Sequence, residues 1–363
     1  MIFRAVLKTI AVLMLVGSTA QAQTVKVTPL GSRTGEFCNG DRALLFEDPT
    51  GIRILYDPGN TVAGGTDPRL GEVHGILLSH AHGDHFGTAK LSSDPNTGGP
   101  GCAGTTTAAA ANSNLAEIAA AKNSAVLAGG NLATFVGTKV AAVLQANVGG
   151  CQTTGLTNET TFPRTAPCTG GLGIGAKRTL RMASATRGVQ IAAVPADHPN
   201  EPPAALLTDP ERTNLTSNSI NAYLGLATGF VVTFTNGLKV YLSGDSGLTN
   251  EMSTLIGGFY GANLAVLNVG DIFTMGPEEG AFAVTELIKP NAVIPSHVNE
   301  AATVGGVVQP GTRTGIFIEL VGRGASTTDP FGPRRRVPVF VPLSGATIEF
   351  DGNARCVLGC QGQ

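Results

Sequence analysis

The feature that most constrains this chain is a group of metal-ligand side chains between residues 80 and 85. The apolar residues 76–78 predict a short buried strand, which runs directly into His80, His82, Asp84 and His85. Alternate residues of a strand share one face, so His80 and His82 can direct their imidazoles at one point. Asp84 and His85 add ligands for a second cation. The chain has only six histidines, and this segment carries three of them. The spacing therefore predicts a metal centre rather than scattered surface histidines.

The first 22 residues are predicted to be a secretory signal peptide. Arg4 and Lys8 accompany a short apolar stretch, and Ala-Gln-Ala at residues 20–22 is a small-residue cleavage site. The apolar stretch is shorter than the roughly 20 residues that span a bilayer, so no stable membrane anchor is expected. We expect the mature chain, residues 23–363, to be periplasmic or secreted.

Charge and cysteine content narrow the classes of partner and compartment. The formal net charge is −2 and only 14% of residues are charged, so we expect no positively charged surface for binding nucleic acid. The six cysteines include no C-x-x-C pair, and an even number in an exported chain indicates disulfides. Cys151 with Cys168 is the first predicted pair because both lie in one Gly/Thr-rich segment. The sequence leaves the other pairings open.

The pattern of apolar segments predicts a mixture of strands and helices. Strands are predicted at residues 25–30, 43–46, 52–56, 125–127, 189–195, 230–235, 238–242, 264–269 and 292–295, with a final strand pair at 337–341 and 346–350. Helices are predicted at residues 114–122, 132–145 and 277–289. Cys-bearing insertions near 88–112 and 146–176 are predicted to be irregular, as is the polar stretch 201–218, which is either a surface loop or a wall of the site.

The remaining ligand-type residues recur at one kind of position. Like His80 and His82, three further residues lie at or just past the end of an apolar strand, where sheet proteins place their chemistry: His198, Asp245 and His297. Asp57 also follows a strand and is either a turn residue or a carboxylate that holds a ligand histidine.

Other residues are weaker candidates. Asp271 is a possible residue of the site rim, and Glu278 fits better as a carboxylate at a helix start. Ser246 has no nucleophile elbow around it. We expect His74 to be structural or at the surface.

With these segments assembled, the chain resembles the metallo-β-lactamase superfamily, and more closely its L-ascorbate-6-phosphate-lactonase-like metal-dependent hydrolase branch. The resemblance is carried by Leu-Leu-Ser-His-Ala-His-Gly-Asp-His at residues 77–85, by Thr-Met-Gly-Pro at 274–277, and by residues 195–198, 242–245 and 294–297. It implies an α/β (α+β) fold, an αββα sandwich of two mixed β-sheets flanked by helices. It also implies that His80, His82 and His198 hold one metal and that Asp84, His85 and His297 hold another. Asp245 would bridge the two.

The expected function is an exported metal-dependent hydrolase acting on a small molecule. Two divalent metal ions would hold a hydroxide that cleaves an ester, lactone or phosphodiester bond. Zn is the expected metal, and Mn and Fe are compatible with the ligands. Asp84 is the predicted catalytic residue, which orients the hydroxide and passes its proton to the leaving group. The alternatives are a secreted metal-binding module with a relict site and a β-lactam amide hydrolase. The substrate and the oligomeric state are left open.

Overall fold

The computed structural model describes residues 23–92, 101–102, 104–152, 158–324 and 336–360. The predicted signal peptide lies outside these residues. Two mixed sheets pack face to face, with helices on both outer faces, so the predicted αββα architecture is confirmed. Among the described residues, no helix is both long and apolar enough to cross a membrane.

The two sheets account for most of the strands in the described residues. The first sheet runs, in spatial order, through Cys356–Leu358, Ile348–Phe350, Val25–Pro29, Leu44–Glu47, Arg53–Tyr56, Gly75–Leu78, Ala125–Ala128 and Cys168–Gly171. The second runs through Ala292–Ser296, Leu264–Asn268, Lys239–Leu242, Thr228–Thr233, Val189–Pro195, Lys177–Met182 and Glu159–Phe162. Two small hairpins pair Ala89–Leu91 with Thr106–Ala108 and Thr303–Val304 with Val307–Val308.

The helices include those that cover the outer face of each sheet. Their bounds are Gly83–Phe86, Asn114–Lys122, Gly130–Leu144, Asp209–Ser217, Met252–Tyr260, Pro277–Phe282, Ala283–Ile288 and Arg313–Arg323, with short 3₁₀ turns at Gly64–Thr66, Ala110–Asn112 and Ala204–Leu206.

The packing explains why the strand before the histidine motif is apolar throughout. Leu77 faces the core between the sheets, whereas Ile76 and Leu78 face the helices that cover the first sheet. With both faces covered, the strand Gly75–Leu78 has no polar side and all four residues are buried. The strand Val25–Pro29, which exposes Lys26, instead alternates, with Val25 and Val27 buried.

Strand direction brings several strand ends to one edge of the sandwich. Arg53–Tyr56 and Gly75–Leu78 run parallel in the first sheet. In the second sheet Lys239–Leu242 and Ala292–Ser296 both run parallel to the strand between them. Val189–Pro195 has the same direction, because two antiparallel pairings separate it from Lys239–Leu242. The loops that follow these strands therefore meet.

Several segments differ from the sequence prediction. The predicted pairing of 337–341 with 346–350 is wrong: Ile348–Phe350 pairs with Val25–Pro29 and Cys356–Leu358. Within the 146–176 insertion, Glu159–Phe162 and Cys168–Gly171 are strands that extend the sheet edges. Thr residues favour extended backbone, which compensates for the low apolar content there.

Among the described residues, three helices of nine or more residues were missed by the sequence prediction. Asp209–Ser217 is a helix within the polar stretch 201–218, and it begins with a capping box in which Glu211 accepts from the backbone N–H of Thr208 at 2.7 Å. Met252–Tyr260 and Arg313–Arg323 are helices as well.

Candidate metal centre

All seven predicted metal ligands lie together where the strand ends meet. Their ligand atoms fall into two groups, within each of which all atoms lie inside 4.8 Å of one another. The first group is His80, His82, His198 and Asp245, and the second is Asp84, His85, Asp245 and His297. Metal binding by these residues stays a prediction.

The first group surrounds a buried point next to Asp245. Nε2 of His198 lies 3.2 Å from Nδ1 of His82. Oδ2 of Asp245 lies 3.8 Å from Nε2 of His80 and 3.9 Å from Nε2 of His198. His82 is the residue that precedes the short helix Gly83–Phe86, so the turn that ends the strand also aims this imidazole.

The second group lies on the other side of the Asp245 carboxylate. Oδ2 of Asp245 is 3.1 Å from Nε2 of His85 and 3.0 Å from Nε2 of His297. Nε2 of His297 is also 3.3 Å from Oδ2 of Asp84. Asp245 is thus the residue shared by the two groups.

Unpaired buried atoms show that the cluster suits cations. Nε2 of His80, Oδ1 of Asp245 and Nδ1 of His297 are buried without a hydrogen-bond partner among the described residues. Each such atom costs free energy if it is left without a partner. Divalent cations would pair with the imidazole nitrogens and the carboxylate oxygen, so the donor set fits a metal centre.

Electrostatics differ between the two groups: the first favours neutral His80 and His198, whereas the second favours a positive charge on His85. Burial keeps the pKa of His80 well below its ordinary value, and burial with neighbouring histidines lowers that of His198 to about 4. Burial also opposes a proton on His85, but the carboxylates of Asp245, Asp57 and Asp84 outweigh it and raise its pKa to about 10. Burial acts to raise the pKa of Asp245, yet the adjacent His85 and His297 hold it well below the usual range.

Asp57 orients two ligand histidines through hydrogen bonds, His85 directly and His80 through Ser79. It is fully buried and accepts a hydrogen bond from Nδ1 of His85 at 2.8 Å. It also accepts from the backbone N–H of Ser79 at 2.9 Å and from its hydroxyl at 2.7 Å, and that hydroxyl lies 2.9 Å from Nδ1 of His80. Asp57 therefore has the geometry of a carboxylate that holds a ligand histidine, which is the second of the two interpretations drawn from the sequence.

Three supporting residues were not found from the sequence. The hydroxyl of Tyr56 accepts from the backbone N–H of Gly244 at 2.8 Å and so fixes the loop of Asp245. Oδ1 of the buried Asn200 accepts from the backbone N–H of Ala81 at 2.8 Å. Asn200 could have been predicted because it lies close to His198 in the sequence. Tyr56 could not, because its sequence pattern is that of an ordinary strand residue.

Arg42 is the third residue and the least expected. It is buried, with 5% of its surface exposed, and Nη1 donates to Asp84. The same nitrogen lies 3.0 Å from Nε2 of His85. Arg42 precedes the second strand in the chain, and nothing in its local sequence links it to the histidine motif.

The weaker candidates lie outside both groups. Nδ1 of His74 accepts from the backbone N–H of Arg53 at 3.0 Å, a structural role. Ser246 is buried, and its hydroxyl accepts from a backbone N–H at 3.0 Å, so it does not act as an exposed nucleophile. Asp271 and Glu278 are exposed.

Comparison with known proteins identifies the family. Residues 52–298 match the model of the β-lactamase superfamily domain, which is more than half of the chain. The chain belongs to this family. The predicted resemblance to the metallo-β-lactamase superfamily and its metal-dependent hydrolase branch is therefore confirmed.

Individual relatives agree with this assignment. A UPF0173 metal-dependent hydrolase from Cupriavidus necator is 27% identical over 318 residues, which cover 86% of this chain and 84% of that protein. One from Pelotomaculum thermopropionicum is 49% identical over 77 residues, covering 21% of this chain and 32% of that protein. Igni18, a metallo hydrolase from Ignicoccus hospitalis, has the same fold: it superposes with a TM-score of 0.50 at 20% identity, covering 90% of this chain and 99% of that one. The prediction of a hydrolase in this superfamily is confirmed.

Proposed function

We propose that this hydrolase holds two divalent cations in the seven-residue cluster and cleaves an ester, lactone or phosphodiester bond of a small substrate outside the cytoplasm. The observation that carries the proposal is the shared carboxylate of Asp245, which lies within 4.8 Å of the ligand atoms of both groups. One carboxylate between two sets of imidazoles is the arrangement expected of a dinuclear site.

The ligand types favour particular metals. Neutral imidazoles with carboxylates suit Zn, and Mn and Fe accept the same donors. His80, His82 and His198 would hold the first cation, and Asp84, His85 and His297 the second, with Asp245 between them. Divalent cations bound there would lower the pKa of a water toward ~7 and polarise the oxygen of the scissile bond.

The two carboxylates of the cluster have different exposure and therefore different roles. The side chain of Asp84 is 41% exposed, whereas that of Asp245 is 4% exposed. Asp84 is thus the carboxylate that a substrate and a water could reach. It would accept a proton from the attacking water and deliver it to the leaving group, while Asp245 would only hold cations.

The cysteines support the exported location. Cys38–Cys102, Cys151–Cys168 and Cys356–Cys360 are disulfides, and none of the six is free. The predicted pair Cys151–Cys168 is among them. Disulfides persist in oxidising compartments such as the periplasm, in agreement with the predicted signal peptide.

A substrate screen, with removal and restoration of metal as its control, tests the proposal. Protein loaded with Zn²⁺ or Mn²⁺ is assayed on panels of esters, lactones, phosphodiesters, thioesters and amides that include β-lactams. We expect turnover of a lactone, ester or phosphodiester that chelation abolishes and that added metal restores. Turnover of β-lactams alone would favour the amide hydrolase instead. Full metal loading with no turnover in any panel would favour the binding module with a relict site.

A further inference from the structure

Arg42 places a permanent positive charge on the second group of ligands. Its Nη1 donates to Asp84 and lies 3.0 Å from Nε2 of His85. Nδ1 of His85 is engaged by Asp57 at 2.8 Å, so Nε2 is the nitrogen left for a cation. The guanidinium therefore contacts two of the four residues of the second group, at atoms that a second metal ion needs.

The guanidinium is anchored at this position. Nε of Arg42 donates to the carbonyl of Gly40 at 3.2 Å. The adjacent Asp41 closes the turn, because its carboxylate accepts from the backbone N–H of Cys38 at 2.8 Å. Cys38 is also joined to Cys102 by a disulfide. Moving the guanidinium away from Asp84 therefore strains or breaks its hydrogen bond to a carbonyl in a cross-linked turn.

The charges of the cluster balance with one metal ion. Three carboxylates face the ligand histidines, those of Asp57, Asp84 and Asp245. One divalent cation together with the guanidinium of Arg42 compensates three negative charges. A second divalent cation adds an uncompensated charge next to a buried arginine, which is strongly unfavourable at short distance in a partly buried site.

We propose that Arg42 competes with the second cation, so that the protein binds one divalent ion tightly at His80, His82, His198 and Asp245 and the other much more weakly. This inference rests on the proposed dinuclear site. At limiting metal the chain carries one ion, and the second subsite fills only when metal is abundant and the guanidinium leaves Asp84. If Arg42 instead only positions Asp84 as a ligand, its removal has the opposite effect on the second ion.

Stepwise Zn²⁺ binding distinguishes the two roles. The full chain with its disulfides formed is stripped with a chelator and titrated with Zn²⁺ against a chromophoric competitor. Arg42→Gln removes the charge and keeps a polar side chain, whereas Arg42→Lys keeps the charge. Arg178→Gln is the control: Arg178 is a similarly buried arginine, 6% exposed, whose Nη1 donates to Thr160 at 2.9 Å.

We expect two dissociation constants in the wild type that differ by about 100-fold or more, because of the repulsion at the second subsite. Arg42→Gln should lower the second constant by about tenfold or more and leave the first unchanged. Arg42→Lys and Arg178→Gln should keep both constants near the wild-type values.

Equal affinity for the two ions in the wild type, or a second constant that rises or stays fixed in Arg42→Gln, overturns the role of Arg42. The wild-type titration decides the first point even if a variant folds poorly. Those results leave the dinuclear hydrolase intact. A wild type that binds no Zn²⁺ at the cluster overturns the proposed function and this inference together.

Discussion

Replacing Asp57 by Asn tests whether the carboxylate behind the histidines tunes the metal centre. Oδ2 of Asp57 accepts from His85 and from the Ser79 hydroxyl, and Oδ1 accepts from the Ser79 backbone N–H. An amide keeps the shape but has one acceptor oxygen, so its NH₂ group faces at least one donor.

The structure sets the size of the effect. Asp57 is fully buried, so the mispaired donor is not rescued by bulk water. Loss of one hydrogen bond to a charged acceptor costs about 1.5–3 kcal/mol of unfolding free energy. The imidazole of His85 also loses the partner that fixes its orientation and raises its basicity. We expect metal affinity and kcat/KM to fall by about 10- to 100-fold.

Asp48→Asn is the matched control. Asp48 is a buried carboxylate that accepts hydrogen bonds from the backbone N–H groups of Thr50 and Thr235 at 2.9 and 2.8 Å. It is bonded to none of the metal ligands. Urea unfolding should show a similar loss of stability in both variants, while Zn²⁺ titration should show weakened binding in Asp57→Asn alone. If Asp57→Asn is destabilised but binds Zn²⁺ like the wild type, the orienting role is refuted.

Four further predictions concern the carboxylates of the cluster and the disulfides. Asp84→Asn should retain the first cation while kcat/KM falls by about 100-fold or more, a typical size for loss of a positioned acid–base group. If the variant turns over at the wild-type rate, Asp84 has a structural role only. Asp245→Ala should lose metal and activity together, as measured by elemental analysis beside kinetics; retention of both ions would exclude a bridge. Thiol titration of the denatured exported protein should find few free thiols, and six free thiols would contradict an oxidising compartment. Removing the Cys151–Cys168 disulfide should lower the free energy of unfolding, measured in urea, by about 3 kcal/mol.

The core of the site was predictable because its ligands follow apolar strands. The apolar run 76–78, with His80 two positions after it, identifies both a buried strand and the direction in which the next side chains emerge. The same reasoning placed Asp245 and His297 at strand ends, and the shared strand direction then brought them together. Patterns within a single segment were sufficient for this part.

Features that depend on distant pairing were not predictable in the same way. Residues 337–341 are apolar enough for a strand, but an apolar run carries no information about its partner, and Val339 makes only an isolated bridge to Val293. The contact of Arg42 with Asp84 joins residues 42 positions apart through tertiary packing. The helix Asp209–Ser217 differs, because the Thr208 and Glu211 capping box was present in the sequence and was overlooked.

Anomalous diffraction at the Zn edge, from crystals grown at saturating Zn²⁺, tests the central claim most directly. The account predicts two peaks about 3.5–4 Å apart, one on each side of the Asp245 carboxylate. One peak should be coordinated by His80, His82 and His198, and the other by the second group. Absence of any peak among these seven residues, in crystals that hold zinc elsewhere, would contradict the account.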